Sequence, residues 1–319
     1  MLVAGAAAPL VRRRLPLPPL VTQTLAFAAP VGLCVAVRRS RARDVATCCL
    51  QMWAYTAAYK TPHDDQAEQE RHVRIDYPIA VDRALGLGEL PTVRLQRALA
   101  RVGPDGPRWR ALDRTLVWTH WSWFLVPHGA LVYIMLRHPD RFDRAAVLTY
   151  ATFDIGAMFY WVLPTAPPWY AAAAPENGAP RDVTPSAAPA DPRTPRRVLE
   201  VRRMMVEYGQ HFWGDSWTPL YSVFGGNPLA AMPSLHFATS VMAAQLLSET
   251  GTLAGVLGWA YAGTLGLALV YLGEHYAADL IAGAALTTTV RRLGPRAGPA
   301  VVRVGRAIAA LEATAHGAG

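Results

Sequence analysis

Residues 234–290 read SLHFATSVMAAQLLSETGTLAGVLGWAYAGTLGLALVYLGEHYAADLIAGAALTTTV. This stretch contains three apolar runs, at 234–247, 253–272 and 279–290, separated by short polar turns. Only a few residues, 248–252, join the first two runs, and such a short connection makes neighbouring helices antiparallel. The pattern predicts a bundle of helices that are apolar enough to lie in a membrane.

The composition of the whole chain supports this interpretation. Of its 319 residues, 52% are hydrophobic and only 17% are charged, compared with roughly 25% charged residues in an ordinary soluble domain. The net charge of +8 at pH 7 comes from arginines that flank apolar runs, at 38–43, 137–144 and 291–296. A nucleic-acid-binding face would instead combine basic and aromatic residues, so we expect no nucleic-acid partner. Basic clusters beside apolar runs are typical of cytoplasmic loops.

Four further apolar runs precede this stretch, at 15–37, 45–59, 115–136 and 145–163. The first follows three arginines and resembles either a signal peptide or an uncleaved span, and we favour the span. We therefore expect an all-α, polytopic integral membrane bundle of about six transmembrane helices. With the basic loops in the cytoplasm, the spans alternate from the second onward, which places His236 and His275 at the extracytoplasmic face.

The runs divide the chain into three parts. Residues 1–114 hold the first membrane segments and a polar region, 60–114, predicted to form amphipathic helices on the membrane surface or, alternatively, a soluble cap. Residues 115–292 are expected to form the main membrane domain. An Ala- and Pro-rich segment at 171–197 interrupts it, and we expect a flexible loop there. Residues 293–319 form a basic cytoplasmic tail.

His236 stands at the start of an apolar run, in the segment NPLAAMPSLH at 227–236. Pro233 suits the first turn of a helix, because the N–H that proline lacks would have no partner there. Free N–H groups of Ser234, Leu235 and His236 then predict an anion site at the positive end of the helix. A phosphate group fits such a site.

His275 stands where one helix ends and the next begins, in the segment YLGEHYAAD at 271–279. If the next helix begins near His275, Asp279 lies on the same face and can accept a hydrogen bond from the ring. Such a pair orients an imidazole as a base or as a nucleophile. The short turn at 248–252 brings His236 to the same level, so we expect two histidines with opposite proton-transfer roles and a bell-shaped pH profile.

These residues resemble a known family. Pro-Ser-Leu-His at 233–236 and His-Tyr-Ala-Ala-Asp at 275–279 resemble the second and third signature motifs of the type 2 phosphatidic acid phosphatase superfamily. Pro-Pro-Trp-Tyr at 167–170, together with the leucine in the second motif, is similar to its inositolphosphotransferase branch, which includes fungal inositol phosphorylceramide synthase. The resemblance covers roughly residues 115–292 and implies that they form a catalytic membrane domain.

The resemblance implies a reaction without a metal or another cofactor. His275 would attack phosphorus to give a phosphohistidine, Asp279 would orient it, and His236 would protonate the leaving group. The implied substrate is a lipid phosphate or phospholipid in the membrane, and the acceptor is an alcohol or water.

Two departures from the family pattern concern the cations that hold the phosphate. Phosphatase-type members carry an arginine six residues before the histidine of the third motif, and here Leu269 stands at that position. The first motif of the family is not found in this sequence. A phosphate dianion in a low-dielectric site needs cationic partners. We therefore expect Arg202 and Arg203, or arginines of the 60–114 region, to bind the substrate together with Ser234.

Three alternatives stay open at this point. A lipid phosphate phosphatase would use the same residues to hydrolyse the same linkage. A non-catalytic transporter or scaffold would instead use polar residues inside the spans, namely His120, His128 and Asp154. Zinc binding by the two histidines with Glu274 and Asp279 is the weaker interpretation, because the His-Glu-x-x-His pattern is missing. The sequence makes no prediction about the oligomeric state.

Overall fold

The computed structural model describes residues 1–12, 14–15, 17–60, 72–104, 106–172, 201–224 and 226–317. Helices make up most of these residues, which confirms the all-α class. The loop expected at 171–197 lies outside the described residues from position 173 onward.

The helices follow one another through the described residues. They are α1 (Leu2–Val11), α2 (Pro19–Ala36), α3 (Arg41–Lys60), α4 (Asp76–Leu85), α5 (Pro91–Leu99), α6 (Ala111–Trp121), α7 (Leu125–Arg137), α8 (Pro139–Val162), α9 (Pro168–Ala172), α10 (Met204–Trp213), α11 (Trp217–Phe224), α12 (Leu235–Ser248), α13 (Thr252–Tyr271) and α14 (Ala277–Gly317). Two short strands, β1 (Val102–Gly103) and β2 (Gly106–Pro107), pair antiparallel between α5 and α6.

Three of the described helices, α2, α8 and α13, are long and apolar enough to cross a membrane. The expected count of about six is higher, and two local features account for part of the difference. The run expected to be the third span is broken at residues 122–124 into α6 and α7. Helix α12 has only 14 residues, whereas a full crossing needs roughly 20.

Helix α12 is the centre of the bundle and packs against α7, α8, α13 and α14. Nine of its 14 residues are buried, because most of its residues are apolar or small. The hydroxyl groups of Thr239 and Ser240 donate to carbonyl oxygens of the preceding turn, at 2.7 and 2.8 Å. The helix therefore buries no unpaired hydroxyl at these two positions.

Ion pairs gather at the C-terminal end of α12. Glu249 contacts Arg144 of α8 at 2.6 Å and Arg291 of α14 at 2.5 Å. Although partial burial acts to raise it, these two arginines hold the pKa of Glu249 below its ordinary value. The turn at 248–251 therefore lies at the same end of the bundle as two of the basic clusters, and the start of α12 lies at the other end.

Two terminal features were not expected from the sequence. Helix α1 precedes the first arginine cluster and packs along α2. Helix α14 does not end near residue 290 but continues to Gly317, so the expected tail is helical through residue 317. Glu312 in this extension pairs with the buried Arg43 at 2.9 Å, which fixes the extension against the start of α3.

Candidate active site

The link between α13 and α14 positions His275. Gly273 has a φ of 83°, a conformation that favours glycine, and a Cβ there would lie 2.6 Å from the carbonyl oxygen of Arg202. The backbone N–H groups of Glu274 and His275 both donate to the carbonyl oxygen of Leu269, at 3.1 and 3.0 Å. This tight turn ends α13 and leaves the His275 side chain buried.

Asp279 lies in the first turn of α14 and is fully buried. Its Oδ2 is 3.2 Å from Nδ1 of His275 and also accepts the backbone N–H of Tyr276 at 3.0 Å. The spacing of four residues thus produces the contact that the sequence predicts. Because the carboxylate needs a donor, the proton of the neutral imidazole belongs on Nδ1, and the lone pair is on Nε2.

His236 lies in the first turn of α12 and meets this pair. Its Nδ1 is 3.3 Å from Nε2 of His275. Since Nε2 carries the lone pair, His236 is the donor in this contact. A line of hydrogen bonds therefore runs from Asp279 through His275 to His236, and a phosphorus atom that approaches Nε2 has to displace the last contact.

The segment before α12 differs from the expectation. Pro233 follows a cis peptide bond and precedes the N-cap residue Ser234, so it is outside the first turn. The N–H of Ser234 donates to the carbonyl oxygen of Asp279 at 3.0 Å, and its hydroxyl accepts the N–H of Phe237 at 3.4 Å. The predicted free N–H of Ser234 is therefore wrong, because the backbones of the two histidine motifs pack directly on each other.

The two arginines expected to hold the substrate have different surroundings. Arg203 contacts Glu274, the neighbour of His275, at 3.3 Å and donates to the Tyr221 hydroxyl at 2.6 Å. Its guanidinium also lies 3.4 Å from the ring centroid of Trp169, in the Pro-Pro-Trp-Tyr segment. The guanidinium of Arg202 pairs instead with Glu207. The structure thus brings Arg203, and not the Arg202 side chain, next to the His275 motif.

Leu269 occupies the place where phosphatase-type members carry an arginine. Its side chain is fully buried, so a charge at this position would have no access to water. The sequence departure is therefore matched by apolar packing, and Arg203 approaches the site from a different element.

Asp82 is a further member of the site region that the sequence analysis missed. It lies in α4 and is fully buried, and its carboxylate accepts the backbone N–H groups of Ala277 and Ala278 at 3.0 and 2.8 Å. These are the first two residues of α14. Burial raises the pKa of Asp82, although the two N–H groups oppose this shift. The sequence gives no signal for a capping contact between residues so far apart.

Gln96 of α5 provides a second connection of this kind. Its amide nitrogen donates to the carbonyl oxygens of Arg202 and Tyr271, at 2.8 and 2.9 Å, and its amide oxygen accepts the N–H of Arg202 at 2.9 Å. Gln96 therefore fixes the segment before Arg203 to the C-terminal end of α13. The region expected to lie on the membrane surface or to form a cap packs directly behind the site.

The polar residues of the transporter interpretation do not lie together. Asp154 accepts a hydrogen bond from Gln51 at 2.8 Å, and Nδ1 of His128 is 2.8 Å from the carbonyl oxygen of Phe124. His120 is separate from both, since its ring stacks on His236 with centroids 5.1 Å apart. One of the three residues therefore belongs to the histidine site.

Among the described residues, no group of three or more His, Cys, Asp or Glu side chains is arranged to hold a metal ion. The donors named in the zinc interpretation do not form such a group. The sequence-based expectation of a reaction without metal or cofactor stays a prediction.

A model of the PAP2 superfamily matches residues 110–293, more than half of the chain. The chain belongs to the PAP2 superfamily. The match covers nearly the same residues as the resemblance found in the sequence. No curated protein and no solved structure gives a significant match. Members of this superfamily are generally phosphatases or phosphotransferases. With the three long apolar helices, membership indicates an integral membrane protein and a phosphatase-type lipid enzyme.

Proposed function

We propose that the chain transfers a phosphoryl group or a phospho-headgroup from a lipid phosphate or phospholipid to an alcohol, through a phosphohistidine on His275. The observation that carries the proposal is the hydrogen-bonded line from Asp279 to His275 to His236, with successive contacts of 3.2 and 3.3 Å. It provides a nucleophile with a fixed tautomer and a second imidazole within reach of the same phosphorus.

In the first step, Nε2 of His275 attacks phosphorus and the bond between phosphorus and the alcohol oxygen breaks. The electron pair goes to that oxygen, which takes a proton from His236. The Nδ1 proton of His275 stays in its hydrogen bond to Asp279, so the carboxylate stabilises the positive phosphoimidazole. In the second step, the acceptor alcohol gives its proton to His236 and attacks phosphorus, and the N–P bond breaks.

Arg203 is the arginine that we assign to the phosphate. Its Nε contacts Glu274 and one Nη contacts Tyr221, so the five N–H donors of a guanidinium are not all used. Stacking on Trp169 fixes the plane of the group. Ser234 positions the start of α12, and Arg202 is the second candidate because Gln96 holds its backbone.

The site is proposed to face the extracytoplasmic side of about six membrane crossings. Arg39 pairs with Asp143 at 2.5 Å, and Glu249 pairs with Arg144 and Arg291. These contacts join the basic segments at one end of the bundle, opposite the histidines. Basic segments favour the cytoplasm, which supports the proposed side. An accessibility assay on single cysteines placed at exposed positions of each end tests it.

The central experiment measures both products from a panel of lipid phosphates and phospholipids, with the protein in lipid vesicles. His275-dependent transfer to an alcohol supports the phosphotransferase, and His275-dependent release to water alone identifies a lipid phosphate phosphatase. Turnover that survives in His275→Ala would contradict the mechanism. No turnover on the whole panel would favour a non-catalytic transporter or scaffold.

A further inference from the structure

A break in an apolar run lies beside the histidine site. Helix α6 ends at Trp121 and α7 begins at Leu125. Two hydroxyl groups hold the break in place. Those of Ser122 and Tyr261 both donate to the backbone carbonyl oxygen of Thr119, at 3.0 and 2.9 Å. Interrupted helices at membrane depth are tolerated where the freed backbone is buried in protein or lines a polar cavity.

The break places two rings against His236. The ring centroid of Trp123 lies 4.1 Å from that of His236, and its Nε1 donates to Thr239 of the same helix at 3.0 Å. The His120 ring lies nearly parallel to His236, at an interplanar angle of 22°. One ring from the last turn of α6 and one from the break itself therefore pack against His236.

His120 has an unmet hydrogen bond. Its Nδ1 is buried and has no partner among the described residues. Buried polar atoms nearly always have one, and leaving one unpaired costs roughly 1–3 kcal/mol. Glu274, His275 and Arg203 are close enough to act electrostatically on the His120 ring. Nε2 of His128 is buried without a partner among the described residues as well, so what distinguishes the His120 nitrogen is its place in a ring stacked on His236.

We propose that His120 is a third substrate-binding histidine, whose Nδ1–H donates to the alcohol oxygen that leaves or attacks phosphorus beside His236. This inference rests on the proposed function. In an in-line displacement the alcohol oxygen lies opposite the attacking Nε2 of His275, and therefore on the side of His236 and the ring stacked on it. His120 exchanges no proton, and its donor stabilises negative charge that develops on this oxygen.

Two substitutions of His120 test the role of its Nδ1 nitrogen separately from that of its ring. His120→Phe keeps a flat ring against His236 but has no donor, whereas His120→Asn keeps a donor near the position of Nδ1 but loses the ring. The matched control is His128→Phe, because His128 contacts Phe124 and Phe153 but not His236. Each variant is purified and placed in vesicles, and kcat/KM is measured on the lipid that the wild type turns over, with His275→Ala as the blank.

We expect His120→Phe to lower kcat/KM by about 100-fold, as loss of one oxyanion donor does, and His120→Asn to recover most of this loss. His128→Phe should stay within about threefold of the wild type. Wild-type activity in His120→Phe, or loss in both His120 variants, would overturn the assignment to Nδ1. Failure of the proposed function would appear elsewhere, as turnover by the wild type that His275→Ala retains.

Discussion

The two ends of α12 carry polar clusters of opposite character. At its C-terminal end, both carboxylate oxygens of Glu249 are paired with arginines, and Nη1 of Arg291 is left buried without a partner among the described residues. At its N-terminal end, three buried atoms lack a partner within the part of the chain that the structure describes, namely Nδ1 of His120, Oδ1 of Asp279 and the hydroxyl of Tyr276. Paired charges stabilise the bundle, whereas several unpaired buried atoms beside a nucleophile are typical of a site that a ligand completes. The difference assigns structure to one end and chemistry to the other.

Removal of the nucleophile tests this comparison most strongly. His275→Ala should lower turnover by at least about 1000-fold, because no other group supplies a lone pair at Nε2. Turnover is compared per folded protein, because the substitution also removes a donor from the buried Asp279. His138→Ala is the matched control, since His138 lies between α7 and α8, at the end of the bundle that carries Glu249. Equal losses in the two variants would contradict the division between the ends.

Substitution of His236 should change the pH dependence of turnover. His236→Ala should lower kcat about 100-fold to 1000-fold and remove one limb of the bell-shaped profile, because the acid for the leaving oxygen is lost. With a lipid analogue that has a nitrophenyl leaving group, His236→Ala should lower kcat by a smaller factor, since that group leaves without a proton. An unchanged bell in the variant would assign that limb to another residue.

The sequence predicted the histidine site better than its surroundings. The spacing of four residues between His275 and Asp279, and the short turn after α12, already place the three catalytic candidates together. Helix breaks are harder to predict, although the run at 115–136 carries one local signal that the sequence analysis did not use. Pro127 lies in the first turn of α7 and has no N–H to donate to the carbonyl oxygen of Trp123 in a continuous helix. The contact of Asp82 with α14 joins residues almost 200 positions apart, and no local pattern encodes it.

Substitution of Asp82 tests whether the histidine site, at the N-terminal end of α12, depends on the capping contact between Asp82 and α14. Asp82→Ala removes the acceptor for two N–H groups at the start of α14. Because the alignment of His275 with Asp279 depends on this helix start, kcat should fall about tenfold while KM stays nearly unchanged. Asp82→Asn keeps one acceptor and should recover part of the rate. Asp76→Ala, at an exposed position of the same helix, is the control. A loss of thermal stability with normal kcat in the folded fraction would make Asp82 purely structural.

Glu249 should give the smallest change in activity. Its pKa is lowered by Arg291 and Arg144, so its stabilising effect is present above the ordinary glutamate value and is lost as pH falls through the lowered one. Because the side chain is partly exposed, Glu249→Gln should lower the free energy of unfolding by only about 1 kcal/mol at pH 7. The difference from the wild type should shrink in acid, while kcat stays normal at every pH. A fall in kcat without a change in stability would show that the two ends are coupled through α12, and would end their separation into structure and chemistry.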